Sequence, residues 1–165
     1  MKKILKYLGY IILATFILIQ FFRPKSNANT VVASNQIHAA FAVPNDVDVI
    51  LKKACNDCHS NNTKYPWYSN IQPVAWWLND HVVDGKKHIN FDEYASYKLR
   101  KQYHKFEEII EQVEANEMPL SSYTLIHSEA KLNANEKIAL TNWAKACMDS
   151  MKAHHPIDSL IRKKQ

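Results

Sequence analysis

Cys55-Asn56-Asp57-Cys58-His59 is the stretch on which the reading of this chain turns. Two cysteines three apart, with a histidine directly behind the second, is the attachment pattern for a c-type haem. Both thiols add across the two vinyl groups of one porphyrin, and the histidine that follows is placed to bind the iron from one face. Helical spacing or one tight turn keeps both sulfurs on the same edge of the ring. Zinc sites and thioredoxin-type dithiols also use two cysteines at this spacing, so the rest of the chain has to supply a sixth iron ligand, a pocket and a compartment.

A chain of 165 residues has room for one domain plus accessories and a core of useful size. Its formal charge of +5 invites a nucleic-acid reading, but the location of that charge argues against one. Lys2, Lys3, Lys6, Arg23 and Lys25 account for all of it, because residues 1–25 contain no acid; the remaining 16 basic residues match the 16 acidic ones. No nucleic-acid surface is expected. Three cysteines do not make a disulfide framework, and Cys147 reads as a small buried hydrophobe.

Residues 1–25 read as an uncleaved signal that serves as a membrane anchor. Residues 7–22 run without a charge between Lys6 and Arg23, and snorkelling by those two would extend the span. The expectation is one N-terminal transmembrane helix in the inner (cytoplasmic) membrane, with the inner membrane as a partner and the haem domain facing the periplasm. Residues 26–43 have no clear period and read as a linker, with His38 exposed within it.

The haem-binding domain is expected over residues 44–151. Asn45 or Asp46 reads as an N-cap, and Val47, Ile50, Leu51 and Ala54 recur at helical spacing into Cys55. A loop over residues 60–73 is dense in aromatic residues, and a helix is expected from 73 to 84 with Gly85 closing it. Each ring alone is ordinary core material. Taken together, Trp67, Trp76 and Trp77 suit the walls of a haem pocket, and their indole N–H groups could reach propionates. A helix over residues 95–115 carries a broad apolar stripe, with Arg100 on a solvated face or on a propionate. Met118, held before Pro119 and ahead of a last helix, is the expected distal iron ligand, and His81 the alternative. Asn133, with Glu136 three residues on, opens that last helix. Residues 152–165 read as a polar tail.

The motifs Cys55-Asn56-Asp57-Cys58-His59-Ser60-Asn61, Tyr65-Pro66-Trp67-Tyr68-Ser69 and Glu117-Met118-Pro119-Leu120, in that order, resemble a bacterial haem-binding domain family. So do Pro73-Val74-Ala75-Trp76-Trp77-Leu78 and Ser122-Tyr123-Thr124. The resemblance covers roughly residues 45–150. It implies a single-haem, cytochrome c-like, all-α domain with one covalent haem c on Cys55 and Cys58 and with His59 on the iron. Ligation by Met118 follows from the broader resemblance to cytochromes c. The expected function is electron transfer to or from a redox partner protein, not enzymatic catalysis. One rival is a five-coordinate haem c sensor or peroxidase-like protein with His81 or His88 near the distal face. Another is a zinc module built on Cys55, Cys58, His81 and His88.

Overall fold

The computed structural model describes residues 1–29 and 34–161. The fold is all-α, as expected. An isolated antiparallel bridge between Ala28 and Asn62 is the only extended pairing among the described residues.

The first helix, α1 (Lys2–Ile19), corrects the expectation of a membrane span. No helix among the described residues is long and apolar enough to cross a membrane. The reason lies in where α1 begins and ends. Lys2, Lys3 and Lys6 fall inside it and it stops at Ile19, so its uncharged part covers only residues 7–19. That part rises about 20 Å at 1.5 Å per residue, against about 30 Å of hydrocarbon. Residues 20–22, which hydropathy alone assigns to the same run, turn out of the helix to meet the rest of the chain. Gln72 N donates to Gln20 Oε1 at 2.9 Å, and the Phe22 carbonyl accepts from Gln72 Nε2 at 2.9 Å and from Trp76 Nε1 at 2.7 Å. The single-pass inner-membrane location inferred from that span is corrected with it.

The stretch read as a linker is largely built into the fold. A short helix, α2 (Ile37–Ala40), buries Ile37, and Phe41 and Val43 pack against the core. His38 is exposed, as expected, and its Nε2 lies 3.0 Å from Asp48 Oδ1. Helix α3 (Asn45–Ala54) has Asp46 and Asp48 in its first turn and Lys52 and Lys53 in its last. That distribution opposes the helix dipole at neither end. Its buried face is Val47, Ile50 and Leu51. It leads into α4 (Asn56–His59), the single turn that carries the second cysteine and the histidine.

The core lies where α6 (Leu99–Glu114) packs on α8 (Ala134–His154), with α3 crossing α8. Tyr103, Phe106 and Val113 from α6 meet Leu140, Trp143, Ala144, Cys147 and Met151 from α8. Phe106 is fully buried and sits edge-on to Phe41 at 5.0 Å and to Trp143 at 5.5 Å. Trp143 places its polar edge by donating Nε1–H to the Ala42 carbonyl at 2.9 Å. Burial of apolar surface in this core stabilises it at about 25 cal/mol per Å² removed from water. Beyond α8, α9 (Ile157–Leu160) returns to α6 and buries Leu160, so the stretch read as a polar tail contributes to the core. Arg162, Lys163 and Lys164 of that tail lie outside the described residues.

The start of α8 matches the expected capping box. Glu136 N donates to Asn133 Oδ1, and Asn133 N donates to Glu136 Oε2, each at 3.0 Å. Lys53 Nζ reaches Glu136 Oε1 at 2.5 Å and ties α3 to the same point. Asn133→Ala should cost about 1 kcal/mol in urea unfolding. The Lys53 ammonium, and after it the Asn133 N–H, hold the Glu136 carboxyl below its ordinary 4.5. Its contribution is therefore complete above 4.5 and lost as pH falls through the lower folded-state value. Glu136→Gln should destabilise at neutral pH and change nothing in strong acid; an equal loss in both conditions would contradict this origin.

Candidate functional site

Helix α5 spans Val74–His88, so Gly85 lies within it and does not close it. The physical reason is contact with α4. A Cβ built on Gly85 would lie 2.7 Å from the Cys58 carbonyl oxygen and 3.2 Å from both its carbonyl carbon and its Cβ. Hydrogen at this position lets the two backbones touch. Within this contact His59 is oriented: its Nδ1 is 2.9 Å from the Gly85 carbonyl and 3.1 Å from the Ile89 carbonyl. Carbonyls only accept, so Nδ1 carries the proton and Nε2 keeps its lone pair. Burial pushes the imidazole below its ordinary pKa, against the opposing pull of those two hydrogen bonds. The ring is therefore neutral at neutral pH, the form that binds a metal.

Cys55, Cys58 and His59 line one cavity of about 850 Å³, and Met118 lines it too. A volume of that order accommodates a large organic cofactor. The ends of α3 and α5, the cavity face of α6 and the Met118–Leu120 segment form most of its wall. All three cysteines are free. Burial, with the charge of Cys58 secondary, pushes the Cys55 thiol up to about 12; burial, with Asp57 secondary, pushes Cys58 up to about 11. Both are thiols at neutral pH.

Met118 reaches the cavity because of how α6 ends. Asn116 adopts φ 62°, in the left-handed region that Asn tolerates better than most residues. Glu117 N and Met118 N then both donate to the Gln112 carbonyl, at 2.9 and 3.2 Å. Lys137 Nζ holds the Asn116 side-chain oxygen from α8. Helix α7 (Ser121–Ile126) follows, where only a loop was expected, and brings Tyr123 to the cavity wall. Tyr123 donates to Asp57 Oδ2 at 2.7 Å, so α7 is pinned to the residue between the two cysteines.

The three tryptophans expected as pocket walls are placed elsewhere. None of Trp67, Trp76 and Trp77 lines the cavity. Trp67 is 77% exposed, and Trp76 spends its indole N–H on Phe22. Trp77 lies against His81, with ring centroids 4.3 Å apart and planes tilted by 54°. His81 itself lines the cavity, as do His88 and His104. Arg100 donates to the Asp158 carbonyl at 2.9 Å, away from the site. Among the described residues no three His, Cys, Asp or Glu side chains gather in an arrangement able to hold a metal ion, which disfavours the zinc module. Gly85, Tyr123 and Lys105 are site residues that sequence reasoning missed. Gly85 left a signal as one of two glycines in the chain and Tyr123 as part of the Ser122-Tyr123-Thr124 motif, whereas Lys105 left none.

The sequence matches the haem-binding domain family over residues 14–146. The chain belongs to that family. No curated protein and no solved structure gives a match. The cavity suits the group that the family name specifies. Its donor set of two thiols, a neutral imidazole and a thioether is one that haem uses, and its wall is mainly apolar.

The contact at Gly85 is testable through the sign of one substitution. Gly→Ala inside a helix ordinarily gains about 1 kcal/mol. Here the neighbours are backbone atoms that cannot rotate aside, and overpacking costs about 1–3 kcal/mol. Gly85→Ala should lower the unfolding midpoint of the apoprotein, whereas a raised midpoint would mean that α4 and α5 separate freely.

Proposed function

We propose that this haem-binding protein is a mono-haem c-type cytochrome acting in electron transfer. In this reading Cys55 and Cys58 hold the haem through two thioether bonds. His59 Nε2 is the proximal iron ligand and Met118 Sδ the distal one. The observation that carries the reading is that Met118, distant in the chain, lines the same cavity as Cys55, Cys58 and His59. The haem supplies one-electron chemistry. The protein would supply the iron donors, and it holds the His59 tautomer through Gly85 and Ile89. A neutral thioether stabilises the ferrous form and raises the potential. With His59 and Met118 both holding the iron, a redox partner protein would be the counterpart.

One observation favours a second reading. His81 lines the same cavity, and its Nδ1 lies 2.8 Å from the Trp77 carbonyl, which leaves Nε2 free as in His59. His81 could replace Met118 on the iron. With neither bound, the protein would be a five-coordinate sensor or peroxidase-like haem protein.

Optical spectroscopy on protein made with the cytochrome c maturation machinery separates these readings. The expected result is a pyridine haemochrome that survives acid-acetone extraction, with a near-infrared charge-transfer band in the oxidised form that disappears in Met118→Ala. A low-spin spectrum without that band would point to His81, and a high-spin one to an open iron. Absence of covalent haem would overturn the c-type assignment.

A further inference from the structure

Helix α6 presents two faces. Tyr103 and Phe106 face the core, Lys105, Glu108 and Gln112 line the haem cavity, and Ile109 and Val113 belong to both. Lys105 is anomalous on that second face, since only 9% of it is exposed. Among the other basic side chains on the wall, Lys87 and His104 have side chains 69% and 60% exposed, and His88 is also exposed. An ammonium at an apolar wall loses hydration and needs a compensating negative charge. Its partner is Glu108, a carboxylate that is 36% exposed and shared with His104 Nε2 at 3.1 Å. Lys105 and His59 line the same cavity.

We propose that Lys105 is the counter-ion for a carboxylate of the bound cofactor and so sets the orientation of the macrocycle in the cavity. This rests on the haem reading above, because a haem carries two propionates. The residues expected from sequence to meet them are committed elsewhere: Trp76 to Phe22 and Arg100 to Asp158. Lys105 acts through the edge of the ring and is a positioning residue.

The test is a titration of the reduced full-length apoprotein with haemin and with haemin dimethyl ester, followed in the Soret region. The two ligands differ only in their carboxylates. The unsubstituted protein should prefer haemin by about tenfold, the scale of a charge-assisted pair shielded from solvent. Lys105→Met should lose most of that preference while keeping its affinity for the ester. Glu108→Gln, which removes the competing carboxylate from a half-exposed position, should increase the preference. An undiminished preference in Lys105→Met, or an unchanged one in Glu108→Gln, would overturn the role of Lys105 and leave the haem site standing. Failure of the unsubstituted protein to bind either porphyrin would overturn the haem reading and this inference together.

Discussion

Backbone contact between α4 and α5 is the constraint on which the site depends. A single turn carrying Cys58 and His59 has little to hold its own orientation, because Cys58 N and His59 N bond back only to the Cys55 carbonyl. It is fixed from outside, by α5 lying against it where Gly85 has no side chain. The same carbonyl that this approach exposes, Gly85 O, takes the His59 ring proton, and Ile89 O takes a share of it. One glycine therefore controls both how close the helices come and which imidazole nitrogen faces the cavity. Asp57 adds a third restraint by accepting from Tyr123 and from Lys64 N.

Helix α6 joins that site to the core. Its Phe106 packs against Trp143 and Phe41, while Lys105, Glu108 and Gln112 of the same helix line the cavity. Its end, reversed at Asn116 and tied back to Gln112, delivers Met118 to the cavity. Packing in the core and geometry at the site are thus two consequences of one rigid element, since close-packed interiors transmit displacement.

The segment after α1 buttresses the loop that follows the histidine. Asn27 makes contacts in several directions: its N–H donates to Tyr65 Oη, its side chain to the Ser60 carbonyl and Thr63 Oγ1, and its side-chain oxygen accepts from Lys86. Thr63 in turn donates to the Asp57 carbonyl. This network explains why residues 20–29 are not a free tether: they satisfy polar groups that the loop around residues 60–65 would otherwise leave unpaired.

Sequence alone determined the features that depend on neighbours along the chain. The spacing of Cys55, Cys58 and His59, the helix feeding into them, the Asn133–Glu136 capping box and the stripe on α6 are local patterns with local causes, and the structure contains each. Tertiary structure decided whatever depends on contacts between distant segments. Gly85 reads as a helix end until Cys58 is found against it. The aromatic run reads as a pocket wall until Trp76 is found on Phe22 and Trp67 in solvent. Residues 20–22 read as part of an apolar span until Gln72 draws them out of α1. Lys105 looks like any helix-surface lysine because side-chain type gives no indication of which face is closed over by a partner. Hydrophobicity and periodicity specify which faces prefer burial; which partner covers each face is set by packing between elements far apart in the chain.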